Sequence, residues 1–182
     1  MVSSLLSIAG SVVFAAIVIW LHVDRRDVDP RTKGVSHYAV GNTYVLMTVA
    51  FSALAIGVAA ATFLAAAVAA NTEPGIVMLG LAALGVATVA AVPVSGPTAA
   101  VWRSPAHTLS ALLFFVTIAA GAVLVSSGPA LGVAWLLVLA TATFLIGMAG
   151  VPGLFPIRGW LQRICFTLVV AWLLIVGRQW SG

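Results

Sequence analysis

The stretch YVLMTVAFSALAIGVAAATFLAAAVAA, residues 44–70, contains no charged residue and no proline. A helix of about 20 apolar residues crosses the hydrocarbon core of a bilayer, and this run exceeds that length. Working outward, five more such runs are found. The expected spans are residues 2–23, 44–70, 76–92, 105–125, 130–151 and 159–177, the third being short and extendable toward Thr98. Composition agrees. Of 182 residues 63% are hydrophobic and only 7% charged, with mean hydropathy +1.20. A soluble domain carries roughly 25% charged residues, and disorder needs the opposite balance. One cysteine excludes a disulfide framework and a cysteine-based zinc site. The expected fold class is all-α: a single polytopic transmembrane bundle of six spans, residues 1–182.

The prolines support these boundaries. Pro30, Pro74, Pro93, Pro97, Pro105, Pro129, Pro152 and Pro156 all fall between spans or at their ends, where the ring breaks no helical hydrogen bond. Ser104 before Pro105 reads as a cap and first helical residue. The runs are rich in Ala, Leu and Gly and too long for barrel strands. The opening MVSSLLSIAGSVVFAAIVIWLHV has no basic leader and is too long for a signal sequence, so it is expected to remain as the first helix.

Positive charge is unevenly shared. Arg25, Arg26, Arg31, Lys33, Arg103, Arg158 and Arg163 lie after spans one, three and five or at the adjoining helix ends; Arg178 lies opposite. The positive-inside rule places the first group in the cytoplasm and both termini outside. The localisation expected is multi-pass in the inner (plasma) membrane. Trp20, Trp102 and Trp160 mark the cytoplasmic interface and Trp180 the other, while Trp172 is mid-helix. The same face gathers Asp24, Asp27, Asp29, Ser36, His37, Tyr38, Asn42, Ser95, His107, Gln162 and His22. The opposite side offers little beyond Asn71, Thr72 and Glu73. Arginine far outnumbers lysine among abundant Ala, Val and Gly, a composition suggesting a GC-rich prokaryotic genome.

Residues three and four apart share a helix face. Ser4, Ser7, Ser11, Ala15 and His22 form one stripe in the first span. Thr48, Ser52, Ala55, Ala59 and Thr62 form another in the second, His107, Ser110, Thr117 and Gly121 in the fourth, and Thr143, Gly147 and Gly150 in the fifth. Small and hydroxyl residues allow close helix packing. The functional alternative is a cavity opening at the cytoplasmic face, where two stripes end in histidine.

Several segments resemble a known family. Ser36-His37-Tyr38-Ala39-Val40-Gly41 runs into Tyr44-Val45-Leu46-Met47-Thr48. Ser104-Pro105-Ala106-His107 enters a helix with Leu112-Leu113-Phe114-Phe115. Gly159-Trp160-Leu161-Gln162-Arg163 opens the last helix, which carries Trp172. In order and spacing these resemble the prokaryotic membrane proteins of domain of unknown function 998, over nearly the whole chain. The resemblance implies a compact helical membrane bundle and no defined biochemistry. Where that family often has an aspartate after the first-loop serine, this chain has His37.

The candidate chemistry is concentrated at the basic face. His107, at the start of the fourth span, is an ionisable group in a membrane helix and hence a candidate acid or base. Asp24 is a second catalytic candidate. The candidate lipid- or substrate-binding residues are His22, His37, Tyr38, Asn42, Arg103, Phe114, Trp160, Gln162, Arg163 and Trp172. Arg163 would snorkel to lipid phosphate or grip an anionic head. His22, His37 and His107 lack ligand-pair spacing, so neither metal nor cofactor is expected. The aspartates interleave with arginines, which reads as local ion pairing.

The residues leave three readings open. The first is binding of a lipid or other amphiphile in a cavity open to the cytoplasmic-side face. The second is an intramembrane enzyme, an isoprenoid or lipid cyclase or isomerase using acid–base catalysis. The third is an oligomeric transporter or accessory subunit. Partners expected are membrane lipids, an apolar small molecule and further copies or a larger membrane complex; the basic balance points to anionic headgroups, not nucleic acid.

Overall fold

The computed structural model describes residues 1–68, 72–92 and 103–181, apart from the side chains of Arg103 and Ser104. Asn71, Ser95, Pro93, Pro97 and Trp102, and any extension of the third span toward Thr98, lie outside the described residues. Six helices are long and apolar enough to cross a membrane. They are α1 (Val2–Asp24), α2 (Tyr44–Val68), α3 (Glu73–Ala91), α4 (Arg103–Val125), α5 (Gly128–Met148) and α6 (Arg158–Gln179). Two short 3₁₀ turns, Val35–Ala39 and Phe155–Ile157, precede α2 and α6. No strand occurs among the described residues.

Where the expected ends shift, the reason is local. The third span starts at Glu73 instead of residue 76, and the fifth at Gly128 instead of 130, because Pro74 and Pro129 sit in the first helical turn. There the missing N–H has no intrahelical partner to lose. The fifth stops at Met148 because Gly150 turns to φ +90°, the left-handed region. The fourth begins at Arg103, so Ser104 falls within the helix and not at its cap.

The helices pack as a ring in chain order, closed by α1 against α6, and α6 also reaches α2 and α4. Both termini share one end. There the Ser7 hydroxyl reaches the Leu173 carbonyl at 3.4 Å, and a Cβ on Gly177 would meet the Ile8 side chain. The opposite end carries the arginine-rich loops.

In lipid no hydrophobic force drives helices together, so close backbone approach does. Gly10 and Gly57 make this possible for α1 and α2: a Cβ on Gly10 would fall on the Ala53 carbonyl oxygen. The serine stripe of α1 is buried, as expected for packing. In α2 the buried face is instead Met47, Phe51, Leu54, Val58, Ala61 and Ala65, and Thr48, Ser52 and Thr62 flank it half-buried. Thr62, Thr117 and Thr143 donate to carbonyls one turn back in their own helices, so their hydroxyls do not mark an interior channel.

Phenylalanines fill the centre. The Phe166 ring lies 5.1 Å from Phe14, 6.0 Å from Phe51, 5.9 Å from Phe114 and 5.0 Å from Phe115 between centroids. Phe144 packs on Phe115 at 5.3 Å. Five helices thus meet at one aromatic cluster. Leu5, Ile19, Phe63, Leu84, Leu109 and Leu139 are exposed on the outside, as lipid contact requires.

Replacing Gly10 by Ala is expected to lower stability by about 1–3 kcal/mol, since it overpacks backbone against backbone. Gly80, with open space at its Cβ position, should gain up to about 1 kcal/mol from Ala. Thermal unfolding in detergent checks the pair; equal shifts would refute the α1–α2 contact.

Candidate functional site

The loop between α1 and α2, residues 25–43, folds back over the basic end instead of extending into solvent. Its own charges shape it. Arg25 donates through Nε and Nη2 to both Asp27 oxygens at 2.8 and 2.7 Å. Its Nη1 reaches the Val40 carbonyl at 2.8 Å and the Thr43 hydroxyl at 2.6 Å, and Thr43 donates to the Tyr38 carbonyl. Asp29 accepts from the Arg31 amide at 3.0 Å and the Thr32 hydroxyl at 2.9 Å. These bonds hold Asp27 and Asp29 below the usual carboxylate range, by the Arg25 guanidinium and the Arg31 amide respectively. The aspartate run is local pairing and turn formation.

The first turn of α6 fastens this loop. The Gly159 amide donates to the Arg31 carbonyl at 2.7 Å, and a Cβ there would strike the Pro30, Arg31 and Lys33 carbonyls. The Val35 amide donates to Gln162 Oε1 at 2.7 Å. Arg163 Nη1 donates to the Pro30, Lys33 and Gly159 carbonyls at 3.0, 2.8 and 3.0 Å. Its Nη2 donates to the buried Tyr38 hydroxyl at 2.8 Å. Tyr38 then has one hydrogen to give, and His22 Nδ1 stands 2.9 Å away as its acceptor. In that tautomer His22 carries its own hydrogen on Nε2.

The docked loop divides the basic end into two concavities. One is a cavity of about 220 Å³ beneath the loop, between the starts of α4 and α6 and the end of α5. Its polar rim includes Lys33, Arg158, His37, His107 and Gln162, and its apolar floor includes Ala111, Leu112, Phe144 and Met148. Among the described residues no carboxylate lines it. The His107 ring is fixed by donating from Nδ1 to the Val92 carbonyl at 2.7 Å, which leaves Nε2 as its acceptor. His37 Nδ1 is buried with no protein partner. Burial first, then Lys33, His107 and Arg158, hold the His37 imidazole below its ordinary value of 6.5, against the opposing Gly34 backbone. The second concavity, about 360 Å³, is an apolar wedge between α1 and α6.

A model of the family described as a protein of unknown function, DUF998, matches residues 8–179. The chain belongs to the DUF998 family. Comparison with curated proteins and with solved structures gave no match.

In this DUF998 protein the sequence candidates separate into groups. His37, His107 and Gln162 meet at the cavity beneath the loop, and His22, Trp160 and Arg163 at the wedge. Tyr38 lies between them as the buried strut. Phe114 belongs to the central cluster. Trp172 is buried toward the opposite end and donates to the Ser126 hydroxyl at 2.8 Å. Asp24 and Asn42 are exposed and line neither concavity. The Arg103 side chain lies outside the described residues. The three histidines do not converge, and among the described residues no three His, Cys, Asp or Glu side chains group closely enough to share a metal. Lys33 lines the cavity although sequence reasoning placed it only in the topological charge count, and Arg158 lines it as well. The run Thr32-Lys33-Gly34-Val35-Ser36-His37 was the available signal.

Two outcomes are expected. Gln162→Leu leaves the Val35 amide buried without an acceptor, at a cost of about 1–3 kcal/mol, and should speed hydrogen exchange across residues 25–43. A loop as protected as in the parent would refute the clamp. A folded-state imidazole held neutral makes the unfolded chain the better proton binder at acid pH. The stability that His37 contributes is therefore present above its ordinary value of 6.5 and lost as pH falls below it. Melting temperatures across that range should show a slope that His37→Gln flattens.

Proposed function

We propose that this protein binds an anionic amphiphile at its basic end. The head sits in the cavity beneath the first loop and the chain runs along the apolar floor between α4 and α5. The observation that carries this reading is the buried, unpartnered His37 Nδ1 in a cavity whose charged lining, among the described residues, is Lys33 and Arg158. A buried polar atom without a partner calls for one, and the cations select its charge. Gln162, its Oε1 already engaged, adds an NH₂ donor. The floor of Leu112, Phe144 and Met148 suits an apolar chain and not a soluble anion. With the charge asymmetry of the loops, the source would be the cytoplasmic leaflet.

A test is native mass spectrometry of protein taken from phosphatidylcholine vesicles doped with phosphatidic acid. Retention of the acidic lipid is expected. A cation near the surface contributes about 1 kcal/mol toward such a head, so removing Lys33 and Arg158 together should weaken binding about 30-fold. An anion beside His37 favours its protonated form, so binding takes up a proton and tightens below about pH 6.5. Equal retention by the double variant, or a preference for phosphatidylcholine, would refute the proposal.

One observation supports acid–base chemistry on the bound molecule as a second reading. The Val92 carbonyl fixes the tautomer of His107 and presents Nε2 as a base at the same cavity. Lipid extracts incubated with the protein would then change in mass spectrum, and His107→Gln would stop the change while binding persisted. An unchanged extract removes this reading and leaves binding standing.

A further inference from the structure

The wedge between α1 and α6 has a geometry of its own. The two helices touch at the terminal end, through Ser7 with Leu173 and Gly177 with Ile8. Toward the basic end Val35 of the docked loop and Trp160 line the space between them. The opening, about 360 Å³, faces outward between Ile19 and Val23, both well exposed, and the Trp160 edge. Its walls are Phe14, Ala15, Val18, Phe166 and Val170. All lie on spanning helices, so the wedge opens to lipid and not to water.

Its polar chemistry is confined to one end and is specific. The Tyr38 hydroxyl accepts from Arg163 and donates to His22 Nδ1, so His22 presents an Nε2–H donor. The Arg163 Nη1 and Nη2 groups already hold protein acceptors. The uncommitted groups are then the His22 donor and the Arg163 Nε–H, beside aromatic faces, with His22 and Trp160 meeting edge to face at 6.0 Å. A phosphate head would have to compete with three carbonyls and the Tyr38 hydroxyl for most of the guanidinium. A flat ring bearing a carbonyl would use the donor and the aromatic walls together, and an isoprenoid tail would lie along the apolar walls.

We propose that the wedge binds a prenylated quinone, with one ring carbonyl accepting from His22 Nε2 and the tail lying between α1 and α6. This site is separate from the anion cavity and shares no cavity residue with it.

The test is retention of a long-chain menaquinone by the purified full chain, measured by solvent extraction and absorbance per mole of protein. Wild type should retain it in roughly stoichiometric amount. His22→Phe keeps a ring but removes the donor, and should weaken retention about tenfold. Ile19→Trp acts at an exposed rim position and Ala15→Phe fills the floor; both should abolish retention while the unfolding temperature holds. Lys33→Ala with Arg158→Ala should leave it unchanged, so failure here is distinguishable from failure of the anion site. Absence of quinone from folded wild type would overturn the proposal. So would full retention by Ile19→Trp and Ala15→Phe, or displacement by phosphatidylcholine at equal mole fraction.

Discussion

One guanidinium organises the basic end. The Arg163 side chain gathers carbonyls from the first loop and from its own helix, together with the Tyr38 hydroxyl. Loop carbonyls turned inward at a membrane boundary lose their water and must find donors within the protein. Arg supplies several in a rigid planar fork. Because the Pro30 and Lys33 carbonyls and the Tyr38 hydroxyl all belong to the loop, it cannot lift without losing them together. Its placement in turn roofs the cavity and brings Val35 to the wedge. Both candidate sites are consequences of the same clamp.

The bundle below is closed by different means. Aromatic rings from α1, α2 and α4 converge on Phe166 of α6, with Phe144 of α5 joined through Phe115, and the glycine contacts bring backbones close enough to hold that packing. A solid middle restricts chemistry to the ends. A route across a single copy would have to displace the Phe cluster, each member of which supports the others. Binding at one leaflet requires no such rearrangement, and the two concavities stop above the cluster.

What the sequence made legible follows from which forces leave a local pattern. The six spans were readable because exclusion from water acts on every residue of a run, such as 44–70. The basic end was readable because insertion acts on the charge of whole loops. The buried face of α2 was not. Its hydroxyls looked like the interior stripe, yet Thr62 bonds to its own helix, as Thr117 and Thr143 do in theirs. In lipid the interior is marked by small residues as much as by polarity, as Gly10 and Gly57 show. The role of Arg163 was also hidden. Its partners are main-chain carbonyls of Pro30 and Lys33, far away along the chain, and a carbonyl has no side-chain signature. His37, Gln162 and His107 were expected on one face, and the docked loop brings them to one cavity.

The positive charges therefore need sorting before they are read as affinity. Arg25 is held by Asp27 and by loop carbonyls, and Arg163 by the clamp. Arg158 lies over the Phe155 ring at 3.8 Å and bonds the carbonyl beneath it, yet still borders the cavity. Lys33 borders it too and has its flexible ammonium exposed. Insertion responds to the sum of these charges. A ligand would respond only to those not already committed. The charge asymmetry thus overstates the electrostatic pull of the basic end, and the proposed selectivity would rest, among the described residues, on Lys33, Arg158 and the His37 imidazole.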